Sequence, residues 1–161
     1  MQIAEIQIVN YRTEFKADII KLNLEWLDKF GLTENYDYEF LNQPEKYVLN
    51  GGGMIFCAIC DGRVFGTCAA VLTDPKKVEL AKLAVSPPAR GFGIGRKLSE
   101  KVIEFAVQKG VEKVFLISNT KLVAALKLYE SLGFKNMAIP EFVCLETANV
   151  YMELEISDKK F

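Results

Sequence analysis

Two apolar runs, Met54–Cys60 and Val64–Leu72, flank the dipeptide Asp61-Gly62, a strong two-residue signal for a β-hairpin. The turn Thr73-Asp74-Pro75-Lys76 leads into a third strand with alternating apolar positions, Val78–Val85. Beyond it the period changes. Ile94, Leu98, Val102, Phe105 and Ala106 recur at helical spacing from near Gly95, and Gly110 stops the pattern. Lys113–Ile117 is a short β-branched and aromatic strand, followed by a helix that turns Leu122, Ala125, Leu126 and Tyr129 inward and ends at Gly133.

The flanks are less regular. Gln2–Val9 reads as an opening strand, and Thr13 as the N-cap of a helix with Phe15, Ile19, Leu22, Trp26 and Phe30 on one stripe and a stop at Gly31. Leu32–Asn50 predicts a short helix and a loop broken at Pro44, and 136–138 and 148–156 supply two closing strands. The order strand, loop, helix, strand around residue 94 predicts a β-loop-α-β unit inside a sheet otherwise built of hairpins.

Composition narrows the class. The 161 residues are 50% hydrophobic, enough for one domain, 1–161, with a real core. Twenty basic residues nearly cancel twenty-one acidic ones, so no global field draws the chain to nucleic acid or a membrane surface, and an anion site must be local. No run approaches the roughly 20 apolar residues of a membrane span, and the N-terminus lacks a signal-peptide pattern, which makes the cytoplasm the expected location. The chain has no histidine, which removes Ser-His-Asp and Cys-His catalysis and histidine zinc sites. Cys57 and Cys60 lie three apart in a strand and point to opposite faces, so they read as buried apolar residues, and no metal is expected.

The candidate chemistry starts at Arg90-Gly91-Phe92-Gly93-Ile94-Gly95-Arg96. Alternate glycines remove the Cβ atoms that keep an anion off the backbone, the helix that follows brings free N–H groups and a positive dipole end, and two guanidinium groups flank the turn. That combination suits a pyrophosphate. A dinucleotide fingerprint would need glycine at 96, where arginine stands, and an acidic residue after the next strand, where Ser118-Asn119 stands. A P-loop would need Gly-Lys followed by Ser or Thr, and the chain has Gly95-Arg96-Lys97-Leu98. A mobile turn before a helix accounts for the loop taken alone.

A second motif separates these readings. Ala125-Leu126-Lys127-Leu128-Tyr129-Glu130-Ser131-Leu132-Gly133-Phe134 is similar to the A-x-x-x-Y-E-x-x-G-F segment of the GNAT acetyltransferases, and Arg90–Gly95 resembles their R/Q-x-x-G-x-G/A loop. Gly51–Phe56, Glu79–Val85 and Asn149–Leu154 also look like segments of small bacterial members, so the resemblance covers nearly the whole chain and is weakest before Gly51. It implies an α/β (α+β) fold with a mixed, mostly antiparallel sheet splayed between the fourth and fifth strands and flanked by helices. It also implies an acetyl-CoA-dependent N-acetyltransferase that moves an acetyl group to a primary amine by direct attack through a tetrahedral intermediate.

By the same resemblance, Leu83, Ala84 and Val85 contact the pantetheine arm, and Arg90, Gly91, Phe92, Gly93, Ile94, Gly95 and Arg96 hold the pyrophosphate. Tyr129 becomes the general acid for the departing thiolate. A phenol of pKa about 10 stays protonated at neutral pH and donates only slightly uphill to a thiol of about 8.5. Glu79 matches a position where some members carry a catalytic glutamate, and alternation places it on one strand face with Ala81 and Leu83. Asn119 reads as the cap of the Tyr129 helix, with cofactor contact as a second role. Leu122 departs from the family, where many relatives carry asparagine seven positions before the tyrosine. The carboxylates of Glu34, Asp37 and Glu39 suit a cationic amine, or else form a solvated face. A homodimer is a family-level expectation. A non-catalytic acyl-CoA-binding module is the alternative reading, and a nucleotide-binding protein a third.

Overall fold

The computed structural model describes residues 5–156. Seven strands form one sheet in the order β1-β2-β3-β4-β5-β7-β6, with β1 Gln7–Asn10, β2 Met54–Cys60, β3 Arg63–Asp74, β4 Lys77–Val85, β5 Lys113–Ser118, β6 Lys135–Asn136 and β7 Val150–Glu155. Every neighbouring pair is antiparallel except β4 and β5, which are joined by helix α3, Ile94–Lys109. This is the expected mixed sheet with a single β-loop-α-β unit. The part of the opening strand expected at 2–4 lies outside the described residues.

Alternation along the strands assigns the layers. Met54, Phe56 and Ala58 of β2 turn to the core beneath α3 and α4 (Val123–Ser131), whereas Ile55, Cys57 and Ile59 turn to the core beneath α1 (Lys16–Lys29) and α2 (Asn35–Asn42). Cys57, Cys60 and Cys68 are buried free thiols, as their apolar setting suggests. Helix α3 buries Ile94, Leu98, Val102, Ile103 and Ala106 and lies so close to β3 that a Cβ on Gly66 would sit 3.0 Å from Leu98 and 3.1 Å from Ile94. At the hairpin, Asp61 and Gly62 both take positive φ, 50° and 74°, as a two-residue turn requires.

Two local expectations are corrected. Thr13 does not cap α1; the chain enters through a 3-10 turn, Thr13–Phe15, closed by Phe15 N–H donating to the Arg12 carbonyl at 2.9 Å. Nor does Asn119 cap α4. Its Oδ1 accepts the Lys121 N–H at 2.9 Å in a turn that finishes before the helix starts at Val123, and its Nδ2 donates to the Thr147 carbonyl at 2.6 Å.

A third correction bears on the chemistry. Opposite Cys68 the β3–β4 register slips, from Thr67 facing Ala84 to Ala69 facing Ala81, so Lys82 and Leu83 share one place in the ladder. Lys82 takes φ 57°, and this bulge inverts the alternation. Val78, Leu80, Leu83 and Val85 all pack on the α3 side, while Ala81 packs toward α1 and α2. Glu79 and Leu83 therefore lie on opposite faces.

Candidate functional site

β4 and β5 pair only from Lys77–Lys113 to Glu79–Phe115. Past that point the strands diverge; two cavities lie at the gap, and a third adjoins them over the paired Lys77, Glu79 and Phe115. The first, about 340 Å³, is lined by Leu83, Ala84, Val85, Arg90, Gly91, Gly93, Ile94, Gly95 and Arg96 with Trp26, Ala89, Ala124, Ala125 and Leu128. The second, about 120 Å³, holds Tyr129, Asn119, Lys82 and Leu80 and shares Trp26 and Leu83 with the first. The third, about 450 Å³, contains Glu79 and shares Ile117 and Leu145 with the second. All the residues expected to be catalytic or to contact the cofactor, except Phe92, thus line this row of cavities. Phe92 is 52% exposed and lines none of them.

The glycine loop is shaped by backbone demands. Pro87 opens a 3-10 turn after β4, Arg90 is extended, and Gly91 and Gly93 take φ of 83° and 78°. Gly93 is the N-cap of α3, and its carbonyl accepts the Lys97 N–H at 3.0 Å. The N–H groups of Ile94, Gly95 and Arg96 precede that first intrahelical bond and remain donors at the positive end of a helix 16 residues long. A Cβ on Gly95 would approach Leu128 to 3.4 Å, so α4 sits tightly over this turn.

The two arginines are already engaged. Arg90 stacks its guanidinium 4.5 Å from the Trp26 ring centroid and donates from Nε to the Val85 carbonyl at 3.1 Å. This ties α1 to the end of β4, a role for Trp26 that its place on an apolar stripe did not reveal. Arg96 donates to the Ser131 hydroxyl of α4 and lies 3.8 Å from Glu100. Each guanidinium keeps donors beyond these bonds for an anion.

Tyr129 is buried, its ring edge-on to Phe134 at 5.9 Å, and its hydroxyl makes no hydrogen bond among the described residues. Burial, with a smaller contribution from Cys68, raises the phenol above its ordinary value, so it is protonated at neutral pH. Glu79 is half-buried and unpaired among the described residues. Burial pushes its carboxyl up to about 7, against a smaller downward pull from the Lys82 ammonium.

The three carboxylates of the acidic segment all have partners within the protein. Glu34 accepts the backbone N–H of Glu146 at 3.1 Å and of Thr147 at 3.3 Å, together with the Thr147 hydroxyl. Burial opposes ionisation there, but these bonds and Lys82 hold the Glu34 carboxyl below its usual range. Asp37 accepts the Glu34 N–H at 2.7 Å and pairs with Lys82, whose ammonium also lies over the Tyr36 and Phe40 rings at 5.7 and 5.4 Å. Glu39 accepts the Tyr47 hydroxyl at 3.1 Å. The segment 137–149 is thereby fixed against α2 through Glu34 and against β5 by Asn149 N–H donating to the Ser118 carbonyl at 3.1 Å. Sequence reasoning missed this wall, because its contacts with Glu34 span over a hundred positions and carry no spacing signal.

Comparison with known proteins follows the same lines. The profile of the acetyltransferase (GNAT) family matches residues 18–134. Human N-acetylaspartate synthetase is 37% identical over 119 residues, 73% of this chain, and the chain spans only 38% of that relative's length. A GNAT-family acetyltransferase of Staphylococcus aureus Mu50 superposes with a TM-score of 0.84 at 25% identity, over 94% of this chain and 99% of the other. A Salmonella typhimurium protein solved with its cofactor acetyl-CoA shares the fold with a TM-score of 0.76 at 20% identity, over 97% and 96% of the two chains. No helix among the described residues is long and apolar enough to cross a membrane.

Proposed function

Because the chain belongs to the GNAT acetyltransferase family, we propose that it is an N-acetyltransferase that uses acetyl-CoA as donor and a primary amine as acceptor. The observation that carries this reading is the row of three adjoining cavities beside and across the strand gap, with a glycine-loop helix terminus at one end, a free phenol in the middle and an unpaired carboxyl at the other. Residues 1–161 are read as one such domain, since both helical layers cover a single sheet.

The donor supplies an activated acetyl group. Its pyrophosphate fits the free N–H groups of Ile94, Gly95 and Arg96 with Arg90 beside them, and its pantetheine arm fits the divergent edge of Leu83, Ala84 and Val85, where β4 has lost its β5 partner. Backbone N–H groups on that edge support the charge that develops on the carbonyl oxygen.

Glu79 takes the proton from the incoming ammonium, directly or through water. A base with a pKa close to the working pH divides its population between the form that accepts and the form that releases, which suits this step. The free amine attacks the thioester carbon, forming the C–N bond and a tetrahedral intermediate; its collapse breaks the C–S bond as Tyr129 donates its proton to the departing sulfur and the nitrogen gives up its second proton to water. Burial makes the phenol a weaker acid than usual, and the same dry surroundings make the thiolate a stronger base. Tyr129 then recovers a proton from solvent. The products are an amide and free CoA.

Isothermal titration with acetyl-CoA, CoA, NAD and ATP, followed by a thiol-release assay across amines, tests the proposal. CoA-selective binding with amine-dependent thiol release is expected. Binding of NAD or ATP in preference to CoA would reject the donor assignment, and binding without release would reduce the chain to an acyl-CoA-binding module.

A further inference from the structure

We propose that the acceptor is a small primary amine whose remaining bulk is apolar, of about aromatic-ring size, and carries no second charge. This rests on the acetyl-transfer reading above, and concerns which amine the site selects.

The cavity that contains Glu79 measures about 450 Å³, within the roughly 300–1,000 Å³ range of small-ligand pockets. Tyr36 of α2, Phe115 and Ile117 of β5, and Phe142, Val143 and Leu145 of the 137–149 segment form its wall. Phe142 leans on Phe115 with ring centroids 5.7 Å apart and on Tyr151 at 6.2 Å. The two aromatic lips are nevertheless open to solvent, Phe142 at 54% and Tyr36 at 38% exposure. They stand on separate elements, α2 and the 137–149 segment, and border the same hollow. An apolar group entering between them removes both from water.

Charge argues the same way. Glu34, Asp37 and Glu39, which sequence alone offered as partners for a cationic acceptor, are spent on Thr147, Lys82 and Tyr47. Lys82, an ammonium in the lining of the second cavity, is spent on Asp37. The other charged side chains of the lining are Asp74 and Lys77, at the β3–β4 hairpin end, and Asp74 already accepts the Lys76 N–H at 2.7 Å. A second carboxylate or ammonium on the acceptor that does not reach these two hairpin-end groups would enter an aromatic and aliphatic enclosure without a counter-charge, at the cost of its hydration. Glu79, the acid of this lining that no hydrogen bond or ion pair engages among the described residues, matches the single amine that has to react.

The experiment compares 2-phenylethylamine, L-aspartate and spermidine on the full chain. Thiol release gives kcat/KM, and titration of each amine into CoA-saturated protein gives Kd. L-aspartate is the amino acid in the name of the human relative, which makes it the sharpest competitor. We expect 2-phenylethylamine to lead both others by about tenfold or more in kcat/KM and in Kd, the scale set by a well-filled apolar pocket. Equal or better performance of L-aspartate or spermidine would overturn the proposal, as would absence of binding by all three. Preferred binding of 2-phenylethylamine without acetylation would support this acceptor class and defeat the transfer reading instead. Phe142→Arg places a cation on an exposed lip at the loss of its ring contacts with Phe115 and Tyr151. It should cost the 2-phenylethylamine preference about tenfold, and an unchanged preference would show that the amine binds elsewhere.

Discussion

The ammonium of Lys82, at the bulge of β4, pairs with the carboxylate of Asp37 in the first turn of α2, 45 positions away in sequence. Both side chains are largely buried, at 15% and 8% exposure, and the pair pins the acceptor-side helix to the strand that divides the cavities. Removing one partner leaves the other charge without compensation. Lys82→Met should therefore cost about 3–5 kcal/mol in chemical denaturation. Lys82→Met with Asp37→Leu should recover much of that loss, and a double variant no more stable than the single one would show that the pair itself matters little.

Tyr129→Phe should lower kcat by about a hundredfold while leaving the acetyl-CoA dissociation constant within about twofold, since it deletes a proton donor and keeps the ring against Phe134. Steady-state kinetics beside calorimetry separates the two. Unchanged turnover would remove Tyr129 from the acid role.

Glu79 carries a pH signature with a defined sign. Its carboxyl is raised from 4.5 to about 7 by burial, despite Lys82 on its own strand, with the hydroxyls of Tyr36 from α2 and Tyr151 from β7 also near it. Between those two pH values the folded state holds more protons than the unfolded state, so stability falls as pH rises from 4.5 to about 7 and is level above it. Glu79→Gln should abolish that decline in denaturation midpoints. It should also lower kcat/KM by about a hundredfold and shift the acidic limb of the rate profile from about 7 toward the ionisation of the amine itself.

Gly93 distinguishes backbone from charge. With φ at 78° it tolerates asparagine better than most residues, so Gly93→Asn should keep acetyl-CoA affinity within about threefold. Gly93→Asp adds a carboxylate at the α3 N-terminus and should raise the dissociation constant by about tenfold or more through repulsion of the pyrophosphate. Equal affinities for the two variants would place the phosphates elsewhere.

Glu34 has the opposite pH sign to Glu79. Its depressed carboxyl contributes stability above the ordinary carboxylate range, and that contribution disappears as pH falls through the lowered value. Glu34→Ala should release the Thr147 end of the 137–149 segment, seen as faster amide exchange at Glu146 and Thr147, with an acceptor KM raised by about threefold to tenfold. Unaltered exchange would mean that Asn119 and Asn149 hold the segment by themselves.

The architecture was legible in the chain because its determinants are local: the hairpin at Asp61-Gly62, the change from strand to helical period at Gly93, and the glycine stop at Gly110 all follow from near neighbours. On the donor side, Leu83–Val85 and the glycine loop other than Phe92 form one continuous piece of chain that the family resemblance marked out, whereas Trp26 and Leu128 reach the same cavity from other helices. The acceptor side was not. Strict alternation put Glu79 with Leu83, and only the two-against-one pairing opposite Cys68 separates them. Trp26 under Arg90 and Glu34 against Thr147 join elements far apart in sequence, and the carboxylates that seemed available for substrate are consumed by contacts that no periodicity announces.

The bulge at Lys82 lets one short strand be read in two phases. Residues before it present odd positions to the acceptor, and residues after it present odd positions to the α3 side, so a substitution in either half leaves the other half's facing intact. Changes that retune acceptor choice around Glu79 need not disturb the donor edge at Leu83–Val85. Deleting the single residue Lys82 would set Leu83 alone opposite Cys68, leave both halves on their present faces, and take away the partner of Asp37.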